Sequence, residues 1–133
     1  MTKAPMLETY PLHLGLGATA IPQPQFTGEM AWYMDYSARC ENDGVEGRLV
    51  SMHSFTENWA GWEMHPAGAE VVVVTAGEMT LIQQSPDGGE TRLKLKSGEY
   101  AINPPGVWHT AEVATSATAL FITAGYGTET RPR

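Results

Sequence analysis

The 133-residue chain is long enough for one domain with a stable core, and it carries a net charge of −7 at pH 7. Its eight basic residues are scattered apart from the alternating Arg92, Lys94 and Lys96, which excludes the basic stripe that nucleic-acid binding needs. Cys40 is the single cysteine, which excludes an internal disulfide. No apolar run approaches the roughly 20 residues of a membrane span, and the N-terminus lacks the apolar core of a signal peptide, so we expect a cytoplasmic protein.

The first part of the chain is dominated by prolines. Four of them interrupt residues 1–26, so we expect an extended N-terminal arm over 1–26 that packs on its own domain or on a partner subunit. The aromatic-rich segment 29–39, EMAWYMDYSAR, is predicted to be a strand, and residues 40–47 form a turn-rich connection. No segment shows a periodicity that predicts a helix.

Residues 27–133 are predicted to form short strands separated by turns. RLVSMHSF and GWEMH are strands, and EVVVVTA is a continuous apolar strand, buried on both faces, that ends at Gly77. EMTLIQQ and TRLKLKS flank the turn residues SPDGGE and predict a hairpin. GEYAIN, HTAEVA and ATALFITAG complete the series. This pattern indicates an all-β sandwich or barrel, and since no internal repeat is present we expect a single barrel over 27–133.

Four side chains with nitrogen or oxygen donors are expected to converge. Glu63 and His65 are two residues apart on one strand and therefore point to the same face. Glu70 begins the strand that returns after a proline–glycine turn, and His109 follows the second such turn, NPPGVW. Imidazole and carboxylate donors without thiolate suit Mn, Fe, Ni, Zn or Cu. Four such donors on adjacent strands suit a divalent cation, but spacing alone does not distinguish this site from ordinary polar residues near turns.

The chain resembles the cupin superfamily in two motifs. The first, approximately G(x)5HxH(x)3–4E(x)6G, corresponds to Glu63, His65, Glu70 and Gly77, and the second, G(x)5PxG(x)2H(x)3N, to Gly98, Pro104, Gly106 and His109. The resemblance covers about residues 48–125. It implies a small jelly-roll β-barrel, here with an extended N-terminal arm, of the kind that usually holds one metal ion in its interior. It also implies a homodimer, because small cupin barrels commonly pair.

Three positions depart from the family pattern. Glu63 stands where most metal-binding cupins have the first histidine, Glu57 replaces the opening glycine and Val113 replaces the closing asparagine. The resemblance implies that His65, Glu70 and His109 are metal ligands, with Glu63 either a fourth ligand or a free carboxylate. Two carboxylates would shift the preference towards Mn(II) or Fe(II). Metal-free cupins also exist, and in such a barrel the two histidines would be hydrogen-bonded interior residues.

The expected function is that of a small-molecule enzyme. The resemblance implies a dioxygenase-like enzyme, a lyase or an isomerase that acts on a small carbonyl or carboxylate compound, with Glu63 or His53 moving a proton. His53 lies on RLVSMHSF and either lines the cavity or is exposed or structurally bonded. The alternatives are a non-catalytic module that senses or stores a metal or small ligand, and a barrel in which the metal is a structural staple.

Overall fold

The computed structural model describes residues 2–133, so residue 1 of the predicted arm lies outside the described part of the chain. The elements follow one another as β1 (Leu12–Gly15), β2 (Thr19–Pro22), α1 (Met30–Arg39), a 3₁₀ segment (Glu41–Glu46), β3 (Arg48–Phe55), β4 (Gly61–Met64), β5 (Glu70–Gln84), β6 (Glu90–Lys96), β7 (Tyr100–Asn103), β8 (His109–Glu112), β9 (Ala117–Thr123) and β10 (Glu129–Pro132).

Two antiparallel sheets form the body of the protein. One has the strand order β2-β1-β3-β9-β5-β7 and the other the order β10-β4-β8-β5-β6, with β5 shared between them. The core lies between the sheets and contains side chains from both, including Val72, Val74, Leu81, Ala111 and Phe121. This is a jelly-roll β fold, and it confirms the predicted all-β class. The hairpin predicted around SPDGGE is also confirmed, since β5 pairs with β6 on either side of it.

Strand β5 is longer than the sequence predicted. It continues through Gly77, where the prediction had ended it, so that prediction is wrong. Its first half pairs with β7 and β9 and its second half with β6 and β8. Gly77 has a φ of +73°, and a Cβ there would collide with the carbonyl of Ser116. Glycine is therefore required where the strand bends from one sheet into the other. Within the first half Val72 and Val74 are fully buried, whereas Val71 and Val73 are only half-buried, so the prediction that both faces of this strand are buried is wrong.

The segment predicted as a strand at 29–39 is instead helix α1, so both that prediction and the absence of a helix are wrong. Aromatic residues favour strands in general, but Trp32 and Tyr36 are four residues apart. In the helix their rings stack at 5.7 Å with an interplanar angle of 13°. Trp32 is the buried residue of the helix, and its ring packs edge-on against Phe26 at 5.0 Å. Packing against the preceding segment therefore outweighs the strand propensity.

Residues 12–22 form a hairpin that extends the first sheet. Strand β1 pairs with β2 and also with β3 of the same chain. His13 is buried and ties this hairpin to the helix and to the 3₁₀ segment: its Nδ1 lies 2.7 Å from Tyr36 Oη and its Nε2 lies 2.6 Å from Asp43 Oδ2. None of the helices in residues 2–133 is long and apolar enough to cross a membrane.

Candidate metal centre

The folded sheets bring the four predicted donors to one end of the barrel. Glu63 on β4 is the direct cross-strand partner of His109 on β8. His65 lies just beyond the end of β4, two residues from Glu63, and Glu70 is the first residue of β5. We call Glu63, His65, Glu70 and His109 the donor cluster. The two turns that the sequence marked with proline and glycine thus deliver donors to the same place.

The distances within the donor cluster are short. Glu70 spans the two imidazoles, with Oε2 at 3.2 Å from His65 Nε2 and Oε1 at 3.2 Å from His109 Nε2. Glu63 Oε2 is 3.8 Å from His65 Nε2 and 3.9 Å from His109 Nε2. One donor atom each from Glu63, His65 and His109 lie within 4.8 Å of one another, so these three residues could bind one ion.

The other nitrogen of each imidazole is held by a hydrogen-bond acceptor. Thr128 Oγ1 donates its proton to the carbonyl of Gly125 and therefore accepts from His65 Nδ1, which lies 2.8 Å away. His109 Nδ1 lies 3.4 Å from the carbonyl of Val107, which can only accept. Both rings are therefore placed to donate through Nδ1, which leaves Nε2 as the ring atom that faces the cluster. Such outer hydrogen bonds are typical of metal-binding histidines.

The two Nε2 atoms have unmet bonding capacity. His65 is 5% exposed and His109 1% exposed, and neither Nε2 has a hydrogen-bond partner within residues 2–133, although Glu70 is near. Each Nε2 faces carboxylate oxygens, and only a metal cation or a proton on the ring can satisfy such an arrangement. The donors present therefore fit a divalent metal ion.

Glu70 is fixed from behind by residues that the sequence did not single out. Asn103 Nδ2 donates to Glu70 Oε1 at 3.0 Å, and the hydroxyl of Thr123 donates to Glu70 Oε2. Asn103 is itself held by Gln83, whose Nε2 is 2.8 Å from Asn103 Oδ1. Asn103 directly precedes the second proline–glycine turn and is paired with Glu70 between β7 and β5. The position of Asn103 directly before that turn could have marked it in the sequence, but its hydrogen bond to Glu70 could not be predicted from the sequence.

The charges in the donor cluster are out of balance. Burial and the neighbouring charge of Glu70 raise the pKa of Glu63. Burial opposes the charge on Glu70 as well, but the imidazoles of His109 and His65 next to it hold its pKa well below the usual range. Burial also opposes protonation of His65, yet Glu70 and Glu63 outweigh it and raise the pKa of that imidazole. Two carboxylates thus compete for positive charge, which a divalent ion supplies.

A large cavity opens beside the donor cluster. It has a volume of about 1210 Å³ and lies between β3, β4, the segment 121–130 and one face of helix α1. His53 lines this cavity, where its ring packs against Phe26 at 5.0 Å and Phe121 at 5.8 Å. Burial lowers its pKa. Of the two residues predicted to be catalytic, Glu63 therefore belongs to the donor cluster and His53 to the aromatic wall.

Comparison with known families agrees with this architecture. The family model described as the cupin domain matches residues 56–125, just over half of the chain. The chain belongs to the cupin family. The matched range of this cupin contains all four residues of the donor cluster but neither helix α1 nor Thr128.

Solved structures share the fold of this cupin at low sequence identity. An oxalate oxidase is 17% identical, with a TM-score of 0.53 over 61% of this chain and 44% of the other. A hydroquinone 1,2-dioxygenase from Sphingomonas sp. TTNP3 with 4-hydroxybenzoate bound is 16% identical, with a TM-score of 0.50 over 57% of this chain and 58% of the other. The cupin thus spans less than half of the oxalate oxidase chain. No curated protein sequence matches it.

Proposed function

We propose that this cupin is a small-molecule enzyme that uses one divalent metal ion held by the donor cluster. The observation that carries the proposal is the pair of buried Nε2 atoms of His65 and His109. In each ring Nδ1 has a hydrogen-bond partner, whereas Nε2 has none within residues 2–133 and faces the carboxylate of Glu70 at 3.2 Å. Buried histidines that served only the fold would have both ring nitrogens hydrogen-bonded.

The donor set narrows the choice of ion. Two imidazoles and two carboxylates, with no thiolate, suit Mn, Fe, Ni or Zn, and the two hard carboxylate ligands favour Mn(II) or Fe(II) among them. When bound, such an ion would supply Lewis acidity or redox chemistry towards an oxygen-containing substrate. This supports dioxygenase-like, lyase or isomerase activity on a carbonyl compound.

Some residues of the chain position the metal ligands, and Glu63 is placed to act on the substrate. Asn103 and Thr123 hold Glu70, and Thr128 orients His65, so these contacts fix the donors before substrate arrives. The side chain of Glu63 is 41% exposed, whereas that of Glu70 is 4% exposed. Glu63 is therefore the carboxylate that can contact a molecule in the cavity and move a proton to or from it.

A non-catalytic role is the second candidate. Four protein donors are enough to close a tetrahedral site, and a closed site suits storage, sensing or structural use of the metal. The two candidates differ in the coordination of the ion: a site in which Glu63 leaves one coordination position open can turn over substrate. A protein that binds metal tightly but converts no substrate would support the sensor.

Metal content tests the proposal first. Protein purified without chelators or a histidine tag should contain about one ion per chain by elemental analysis, in line with one mononuclear site. His65→Ala and His109→Ala should lose it, whereas His53→Ala, the matched control in the cavity wall, should keep it. Unchanged metal content in both cluster variants would contradict the proposed site. Oxygen uptake and product formation with a panel of carbonyl and phenolic compounds then separate the enzyme from the sensor.

A further inference from the structure

We infer that the cavity selects uncharged aromatic molecules that carry an oxygen donor, such as phenols and aryl carbonyl compounds, and rejects carboxylates. The inference rests on the proposed function, because it names the substrate class of the proposed metal site. It narrows the expectation from the sequence, which left both carbonyl and carboxylate compounds open. Two independent features of the cavity carry it: the charges of its lining and the side chains of its walls.

The charges of the lining are negative. Among the described residues that line the cavity there is no lysine or arginine. Four glutamates line it, namely Glu41, Glu57, Glu63 and Glu70. Arg131 is near but is engaged elsewhere: its guanidinium lies over the rings of Trp62 and Trp108, at 5.3 and 4.4 Å, and donates to Gln84. A buried carboxylate ligand is stabilised by a lysine or arginine partner, and the described lining of this cavity offers neither.

The charge count at the donor cluster leads to the same result. When both are ionised, Glu63 and Glu70 carry two negative charges, and these balance a divalent ion. A neutral ligand oxygen leaves that balance unchanged, whereas a monoanion adds one uncompensated charge and a dianion adds two. His53 does not supply compensation, since burial lowers its pKa and keeps the ring neutral. The site is thus built for a neutral ligand.

The walls of the cavity are apolar and aromatic. On the barrel side, Phe55, Trp59 and Phe121 pack against one another, with ring centroids 5.6 to 6.2 Å apart. On the opposite side, helix α1 contributes Met30 and Met34, whose side chains are solvent-exposed and line the open side of the cavity. Flat aromatic ligands gain stacking contacts from such walls, and methionine adapts to their shape.

The volume of the cavity also favours a ring-containing molecule. At about 1210 Å³ it is larger than most small-molecule sites, which measure about 300–1,000 Å³. A two-carbon acid would leave most of the aromatic wall in contact with water. A molecule of one or two rings could cover that wall while its oxygen reaches the donor cluster.

A matched pair of probes tests the inference. 2-Naphthol and 2-naphthoate have the same ring system, but at pH 7 the first is neutral and the second ionised. Binding is measured by tryptophan fluorescence and calorimetry, with the metal-free protein and with the zinc-loaded protein. The naphthol should bind at least 10-fold more tightly in both forms. Equal or tighter binding of the naphthoate in either form would overturn the inference.

One substitution should change this preference. Met34→Lys places a cation at the cavity wall, and Met6→Lys is the matched control, since both methionines are 65% exposed and Met6 does not line the cavity. Met34→Lys should raise naphthoate affinity at least 3-fold and lower the naphthol preference, whereas Met6→Lys should change neither. An unchanged ratio in Met34→Lys, or an equal change in Met6→Lys, would overturn the inference.

The two proposals can fail separately. Probe binding is measured without metal, so loss of the metal site would leave the preference for the neutral probe intact. A preference for the naphthoate in protein with full metal content would refute the proposed substrate class but not the proposed metal site.

Discussion

The hydroxyl of Thr128 gives the most specific prediction about the donor cluster. It accepts the Nδ1 proton of His65 at 2.8 Å while donating to the carbonyl of Gly125. Thr128→Val keeps the shape of the side chain but removes both bonds. The Nδ1 proton of His65 then loses its partner, and the proton is no longer held on that nitrogen, so the Nε2 lone pair is less available for a metal ion.

The size of the effect follows from the surroundings of Thr128. Loss of such an outer partner typically costs 10- to 100-fold in metal affinity, equivalent to about 1.4 to 2.7 kcal/mol. His65 is 5% exposed, but Thr128 itself lies on an exposed segment, where water can replace part of the lost bond. We therefore expect a loss near the lower end, about 10-fold.

Competition with a fluorescent zinc chelator measures this loss. Thr91→Val is the control, because Thr91 is an exposed threonine on β6, away from the donor cluster. The control should bind zinc as the wild type does. If Thr128→Val also binds zinc as tightly as the wild type, the tautomer argument for His65 is refuted.

Two further predictions concern the stability of the fold. Gly77→Ala should lower the free energy of unfolding in urea by more than about 2 kcal/mol, because alanine is strained at a φ of +73° and its Cβ meets a backbone carbonyl. An unchanged urea midpoint would refute the claim that the bend at residue 77 requires glycine. Hydrogen bonds from Arg133 and Arg92 lower the pKa of Glu112, so its stabilising contribution is present above its unfolded pKa of about 4.3 and is lost as the pH falls through the lower folded value. Glu112→Gln should therefore lower the Tm at pH 7 but not near pH 2, and Glu57→Gln is the control for the loss of one negative charge. A Tm difference between Glu112→Gln and the wild type that grows at low pH would contradict this prediction.

The sequence predicted the parts of the site that are encoded by local spacing. Strand β3 has the predicted bounds, and the donors next to the two proline–glycine turns meet because those turns fix where each strand begins. Strand pleating places Glu63 and His65 on one face without any knowledge of distant contacts.

The features that the sequence did not predict depend on contacts between distant segments. Helix α1 is stabilised by Tyr36 with His13 and by Arg39 with Gln23, and these partners lie 23 and 16 residues away. Thr128 reaches His65 across 63 residues. Gly77 looks like the end of a strand, since glycine weakens strand interiors, and only the two-sheet topology shows that it is a bend.

An anomalous diffraction map of crystals grown from metal-loaded protein tests the central claim most directly. The account predicts one peak, about 2.0 to 2.1 Å from the Nε2 atoms of both His65 and His109 if the ion is zinc. It also predicts a carboxylate oxygen of Glu63 in contact with the ion. A peak elsewhere on the protein, or an ion bound by only one of the two imidazoles, would contradict the account.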